Sequence, residues 1–79
     1  MAIRVRYFAN LRELVGHSEE ALSAENIQTV ADILGIINQR NKLPDNVLQA
    51  INMDYAEPNS LVKDGDEVAF FPPVTGGAM

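Results

Sequence analysis

The chain reads as a small α+β domain, with one amphipathic helix packed on one face of a mixed β-sheet. Three observations carry that reading. Residues 3–8 alternate strictly, with Ile3, Val5 and Tyr7 toward one face and Arg4, Arg6 and Phe8 toward the other. Val30, Ile33, Leu34 and Ile37 fall at i, i+3, i+4 and i+7, which makes one apolar stripe on a helix. Near the end the alternation returns, with Val68 and Phe70 on one face and Ala69 and Phe71 on the other.

Taken in order, Ile3 to Phe8 is a half-buried strand whose two arginines face solvent, and Phe8 shares that outer face. Asn10 to Gly16 reads as a short helical turn. Asn10 is its expected cap, Glu13 completes a capping box three residues on, and Gly16 supplies the stop. Leu11 and Leu14 are expected to tuck under the sheet. Ser18 to Ala24 is a weaker strand in which Leu22 is the only large apolar residue. An edge position explains that weakness, and Glu19 and Glu20 would discourage unwanted pairing there.

The main helix spans Thr29 to about Asn41, with Thr29 and Asp32 as its capping pair. Arg40 and Lys42 complement the negative end of its dipole. Burying its four stripe residues contributes roughly 1.5–3 kcal/mol each before chain entropy is subtracted. Gly35 interrupts it at a cost of ~1 kcal/mol relative to alanine, which a close helix–sheet approach would explain. Leu43-Pro44-Asp45-Asn46 connects to a third strand, Val47 to Met53, whose parity leaves open which face is inside. Asp54 to Ser60 reads as irregular around Pro58-Asn59. Leu61-Val62 packs back, Lys63 to Asp66 turns, and Glu67 to Phe71 is the last strand.

Composition narrows the function. Seventy-nine residues make one domain near the lower end of what folds without staples. An apolar share of 47% supplies a single small core. With no cysteine there is no disulfide and no thiolate metal site, which suits a reducing cytoplasm. The longest apolar runs are too short to cross a bilayer, and the N-terminus lacks the apolar core of a signal peptide. A net charge of −5 argues against nucleic acid and is compatible with a basic partner surface.

No catalytic constellation is visible. The single histidine, His17, has no triad or zinc partners in the sequence, so no metal is expected. Asp64, Asp66 and Glu67 miss the spacing of a calcium loop and read as turn formers. No glycine-rich phosphate cradle is present.

The unusual stretch is the end, Phe70-Phe71-Pro72-Pro73-Val74-Thr75-Gly76-Gly77-Ala78-Met79. Proline locks φ and lacks a backbone donor, so Pro72-Pro73 should end the pairing and favour a stiff polyproline conformation. Gly76-Gly77 can then thread a passage too narrow for a Cβ. The expected division is a folded domain over 1–72 and a flexible tail over 73–79. Phe8 and Phe71, with Tyr55 nearby, form a candidate apolar partner surface on the outer sheet face.

The run from Asp64 to Gly77, Asp-Gly-Asp-Glu-Val-Ala-Phe-Phe-Pro-Pro-Val-Thr-Gly-Gly, resembles the C-terminus of the small subunits of molybdopterin synthase, a ubiquitin-like sulfur carrier family. Tyr7 to Gly16 resembles the family's first strand and turn. The resemblance implies a β-grasp fold with the first and last strands adjacent and parallel. It also implies that sulfur is carried as a thiocarboxylate on the terminal glycine, here Gly77, preceded by Gly76. An activating enzyme would adenylate that carboxylate with ATP, and a sulfur donor would then attack it. The large synthase subunit would supply the catalytic groups, the small subunit having no activity alone and no bound cofactor. Sulfur would pass to cyclic pyranopterin monophosphate to form molybdopterin. Phe8, Tyr55, Phe71, Pro72, Pro73, Val74 and Thr75 would contact partners, and Arg12 is a candidate ion-pairing residue for the activating enzyme. The family ends at the second glycine, whereas Ala78-Met79 follow here. Two rivals share the same tail: a carrier for another pathway such as thiazole synthesis, and a ubiquitin-like modifier or binding module. The Phe-Phe-Pro-Pro-Val-Thr run disfavours the first. Lysine conjugates, against a thiocarboxylate on the free protein, would separate out the second.

Overall fold

The computed structural model describes residues 2–44 and 46–72. Its elements run β1 (Ala2–Tyr7), α1 (Asn10–Val15), β2 (Glu19–Ser23), α2 (Val30–Arg40), β3 (Leu48–Ile51), β4 (Asp54–Ala56) and β5 (Glu67–Phe71). The five strands form one sheet in the order β2-β1-β5-β3-β4. β1 and β5 pair in parallel, with Val5 opposite Val68 and Tyr7 opposite Phe70. The other three pairings are antiparallel. A parallel central pair needs a crossover, and the segment carrying α2 lies between β1 and β5 in the chain. This is the β-grasp arrangement that the resemblance implied.

The core sits between α2 and one sheet face. Ile3, Val5, Tyr7, Val68 and Phe70 supply the sheet side, while Val30, Ile33 and Ile37 supply the helix side. Leu34, the fourth stripe residue, packs at the margin. α2 starts as its sequence requires. The Thr29 hydroxyl accepts the Asp32 N–H, and the Asp32 carboxylate accepts the Thr29 N–H, closing a capping box. β3 faces inward with Val47 and Ile51, which pack on the core, and with Gln49, opposite Phe70. That settles the parity its sequence left open.

Several expectations are corrected. Asn10 is already helical in α1 and makes no capping bond; Ala9 is the cap residue, so the Asn10–Glu13 box does not form. Gly16 does end α1, in the left-handed conformation. Leu14 is exposed and Val15 is buried in its place beside Leu11. Val62 packs inward but Leu61 is exposed. Gly35 lies on an exposed part of α2, and a Cβ placed there would meet no atom within 4 Å, so it marks no close approach. The segment read as irregular contains β4, joined to β3 by a two-residue turn. Asn52 and Met53 both take positive φ, 51° and 75°, as a mirror-image hairpin turn requires. The usual sequence mark of that turn, Asn-Gly, is absent.

Candidate functional site

β5 is central, and its parity divides the molecule. Val68 and Phe70 enter the core, while Ala69 and Phe71 face outward. Strand register then assembles the outer face row by row. One row runs Arg6, Ala69, Ala50, Tyr55, because Arg6 opposes Ala69, Ala69 opposes Ala50, and Ala50 opposes Tyr55. Two alanines on the inner strands leave a shallow floor between larger neighbours. Arg6, Phe8, Met53, Tyr55, Glu67 and Phe71 rise around it, enclosing an open hollow of about 270 Å³.

Aromatic side chains dominate its walls. The Phe71 ring stands edge-on to Phe8 at 6.0 Å and to Tyr55 at 5.8 Å, each at 71°. Both contacts have the quadrupole-favoured T geometry. The Arg6 guanidinium lies over Phe8, 5.2 Å from its centroid, and pairs with Glu67 at 3.2 Å. Phe8 is 38% exposed and Tyr55 78% exposed, so these rings offer apolar surface to solvent. The structure thus brings Phe8, Tyr55 and Phe71 together, at the place where β5 gives way to half-buried Pro72. Arg12 is exposed in the last turn of α1, is not among the residues lining the hollow, and makes no ion pair among the described residues. Pro73, Val74, Thr75, Gly76 and Gly77 lie outside the described residues.

Sequence reasoning missed the alanine floor and Met53. Ala69 is legible as outward-facing, but Ala50 and Met53 fall in a strand whose parity the sequence leaves open. It also missed a polar cluster on the helix side. Glu20, which reads in the sequence as an edge-strand charge, accepts a short hydrogen bond from the Tyr7 hydroxyl and a two-pronged contact from Arg40 at 3.2 and 2.9 Å. His17 Nε2 approaches the same carboxylate at 3.3 Å. Burial opposes the charge on Glu20, but the bonds from Arg40, Tyr7 and His17 outweigh it and hold its carboxyl below the ordinary range. Burial, reinforced by Glu20, pushes the Tyr7 phenol well above its ordinary value. This cluster ties β1, β2 and α2 together.

A larger hollow, about 540 Å³, lies beside Ile27, Leu61 and Val62. Its one carboxylate, on Asp66, already accepts from the Asn52 side chain and the Lys63 N–H, and Lys63 is the other charged residue that lines the space. Among the described residues no three acidic, histidine or cysteine side chains are grouped to hold a metal ion. The outer face is an exposed, largely apolar surface of the kind that contacts other proteins.

The sequence profile of the ThiS family matches residues 5–77. The chain belongs to the ThiS family. Within it, the chain is similar to the molybdopterin synthase sulfur carrier subunit of Chlamydomonas reinhardtii, 36% identical over 98% of this chain and 100% of the relative. It is equally similar, at 36%, to the subunit of that name from Escherichia coli, over 95% of this chain and 99% of the relative. Among solved structures, the small archaeal modifier protein 1 of Methanosarcina acetivorans superposes with a TM-score of 0.79 at 28% identity, covering 96% of each chain. This ThiS-family chain thus has carriers among its sequence relatives and a modifier among its structural ones.

Proposed function

We propose that this chain is the sulfur-carrying small subunit of a molybdopterin synthase. The observation that carries the reading is full-length similarity to relatives of that name, which span both chains almost end to end. The outer aromatic face supports it independently. Phe8, Tyr55 and Phe71 give the carrier a surface on which to dock, directly beside the strand end that leads into the tail.

Sulfur resides on Gly77 as a thiocarboxylate. An activating enzyme joins the Gly77 carboxylate to AMP at the expense of ATP, releasing pyrophosphate, and a sulfur donor then displaces the AMP. The large subunit receives the tail, supplies the catalytic groups and directs the sulfur onto cyclic pyranopterin monophosphate, two such deliveries from two charged carriers completing the dithiolene of molybdopterin. Gly76 and Gly77 are required because the tail enters two active sites that exclude water around a reactive acyl group. Pro72, Pro73, Val74 and Thr75 line the approach, and Arg12 contacts the activating enzyme. The setting is cytoplasmic; among the described residues no helix is long and apolar enough to cross a membrane.

Gly77 is followed by Ala78-Met79, and the amide to Ala78 leaves it no free carboxylate to activate. The active form therefore ends at Gly77, without the dipeptide. Docking is tested by titrating Phe71→Asp into the large subunit by calorimetry, with circular dichroism as the check on folding. A folded variant that binds as tightly as the wild type would remove the docking face from this account.

The likeness to a small archaeal modifier protein favours a second reading, in which the same tail forms an amide with lysine. Mass-shifted conjugates in an extract of the native cells, without a thiocarboxylate on the free protein, would establish that reading in place of the first.

A further inference from the structure

The β3–β4 turn is built against its own residue preference. A two-residue hairpin turn with positive φ at both positions favours Asn followed by Gly, because any Cβ at the second position is crowded by the following carbonyl. Asn52 meets the first requirement. Met53 occupies the second at φ 75°, with a long apolar side chain that is 94% exposed. Nothing in the fold of the isolated domain accounts for this, since an exposed thioether adds almost no burial.

Its location does. Met53 lines the same hollow as Phe8, Tyr55 and Phe71, on the wall nearest the turn. Among the described residues, four non-glycine residues take positive φ, namely Ala9, Asn26, Asn52 and Met53. Two are asparagines, which tolerate that conformation through local hydrogen bonding. Of the two that are not, Ala9 is the cap residue where the chain enters α1, so its conformation serves the fold, while Met53 stands two residues before Tyr55 and lines the hollow. The turn needs positive φ at this position but not a methionine, and a costly residue kept at the rim of one exposed apolar surface marks that residue as held for binding. Methionine suits that role because its flexible, polarizable chain adapts to an apolar partner.

We infer that Met53 is a contact residue for the large synthase subunit, held in a strained turn so that its side chain extends the Phe8–Phe71–Tyr55 surface. The inference rests on the proposed docking of the outer face and adds a residue and a physical trade-off to it. The occupant is the same partner, because Met53 and the aromatic residues line one continuous hollow rather than two.

The test uses the full chain ending at Gly77 and the large subunit from the same organism. Met53→Gly supplies the residue the turn prefers. It should raise the melting temperature by roughly 4–8 °C and weaken binding in calorimetric titration by roughly tenfold, the effect of losing one buried methionine contact. Met53→Leu keeps an apolar side chain in the strained turn, and should melt with the wild type and bind within about threefold of it. Phe71→Asp is measured alongside. If Phe71→Asp abolishes binding while Met53→Gly binds like wild type, the docking face stands and the role of Met53 is overturned. Should neither variant bind less tightly, the docking reading fails and takes this inference with it. A Met53→Gly melting temperature at or below that of wild type would overturn the strain argument.

Discussion

Phe71 meets Tyr55 edge to face at 5.8 Å, although Phe71 lies on the central strand and Tyr55 on the edge strand. The contact runs diagonally across β3, where Phe71 opposes Leu48 and Tyr55 opposes Ala50, whose small side chain leaves the diagonal open. The outer face is thus shaped by alanines as much as by aromatics. Tyr55 is the more exposed of the pair, so its loss should fall on binding rather than on folding. Tyr55→Ala is expected to lower domain stability by less than about 1 kcal/mol and to weaken affinity for the large subunit roughly 10- to 100-fold. Urea denaturation and calorimetric titration read the two effects separately, and a loss of stability without a loss of affinity would reverse the assignment.

Much of this architecture was legible in the sequence, for a physical reason. Where one face is buried, a strand must alternate and a helix must carry a stripe, as Ile3 to Phe8, Val30 to Ile37 and Glu67 to Phe71 do. The bounds of β5 and the box between Thr29 and Asp32 followed directly. The β3–β4 hairpin was not legible, because Met53 stands where the turn signal would be glycine. Asn10 misled in another way: it has the chemistry of a cap but lies one residue inside the helix, after strained Ala9. Glu20 misled because a carboxylate on an edge strand looks solvated until Arg40, distant in sequence, folds over it. In the docking face, Phe8, Phe71 and Tyr55 are expected together from strand parity and the strand order that the resemblance implies, and the contacts bear this out. The turn that sets Met53 beside them is what the sequence hides.

Gly35 offers a test of helix energetics free of packing. A methyl group there meets no neighbour within 4 Å, and the position is exposed, so only backbone entropy and helix propensity change. Gly35→Ala should stabilise the domain by about 1 kcal/mol, raising the melting temperature by about 4–8 °C. Affinity for the large subunit should not change, because α2 packs on the opposite side of the sheet from the aromatic face. Lower stability would reveal a steric demand that the structure does not contain.

The Tyr7–Glu20–Arg40 cluster makes the stability of the fold depend on pH at both ends of the range. Because the Glu20 carboxyl is held below its ordinary value of 4.5, its stabilisation is present above that value. It is lost as the pH falls through the lowered folded value. The Tyr7 phenol is raised from 10.0, so its contribution is complete below pH 10 and disappears as the pH rises further. Glu20→Gln should therefore be less stable than wild type at pH 7, with the gap closing as the pH is taken below about 4.5. Tyr7→Phe should lose about 1.5–3 kcal/mol at neutral pH, the value of a hydrogen bond to a charged group, and should shed the decline above pH 10. Urea midpoints across the pH range decide it; a wild-type-to-Gln gap that is the same at pH 3 and pH 7 would place the stabilisation elsewhere.

The central claim is that sulfur is carried on Gly77, and one mass measurement tests it most directly. The chain ending at Gly77 and the chain of 79 residues are each incubated with ATP, the cognate activating enzyme and a sulfur source, and their intact masses are then recorded. The account predicts that the shorter chain gains the increment of one oxygen replaced by sulfur, while the longer chain keeps its mass because the amide to Ala78 cannot be adenylated. Sulfur incorporation into the untrimmed chain, or none into the chain ending at Gly77, would contradict it.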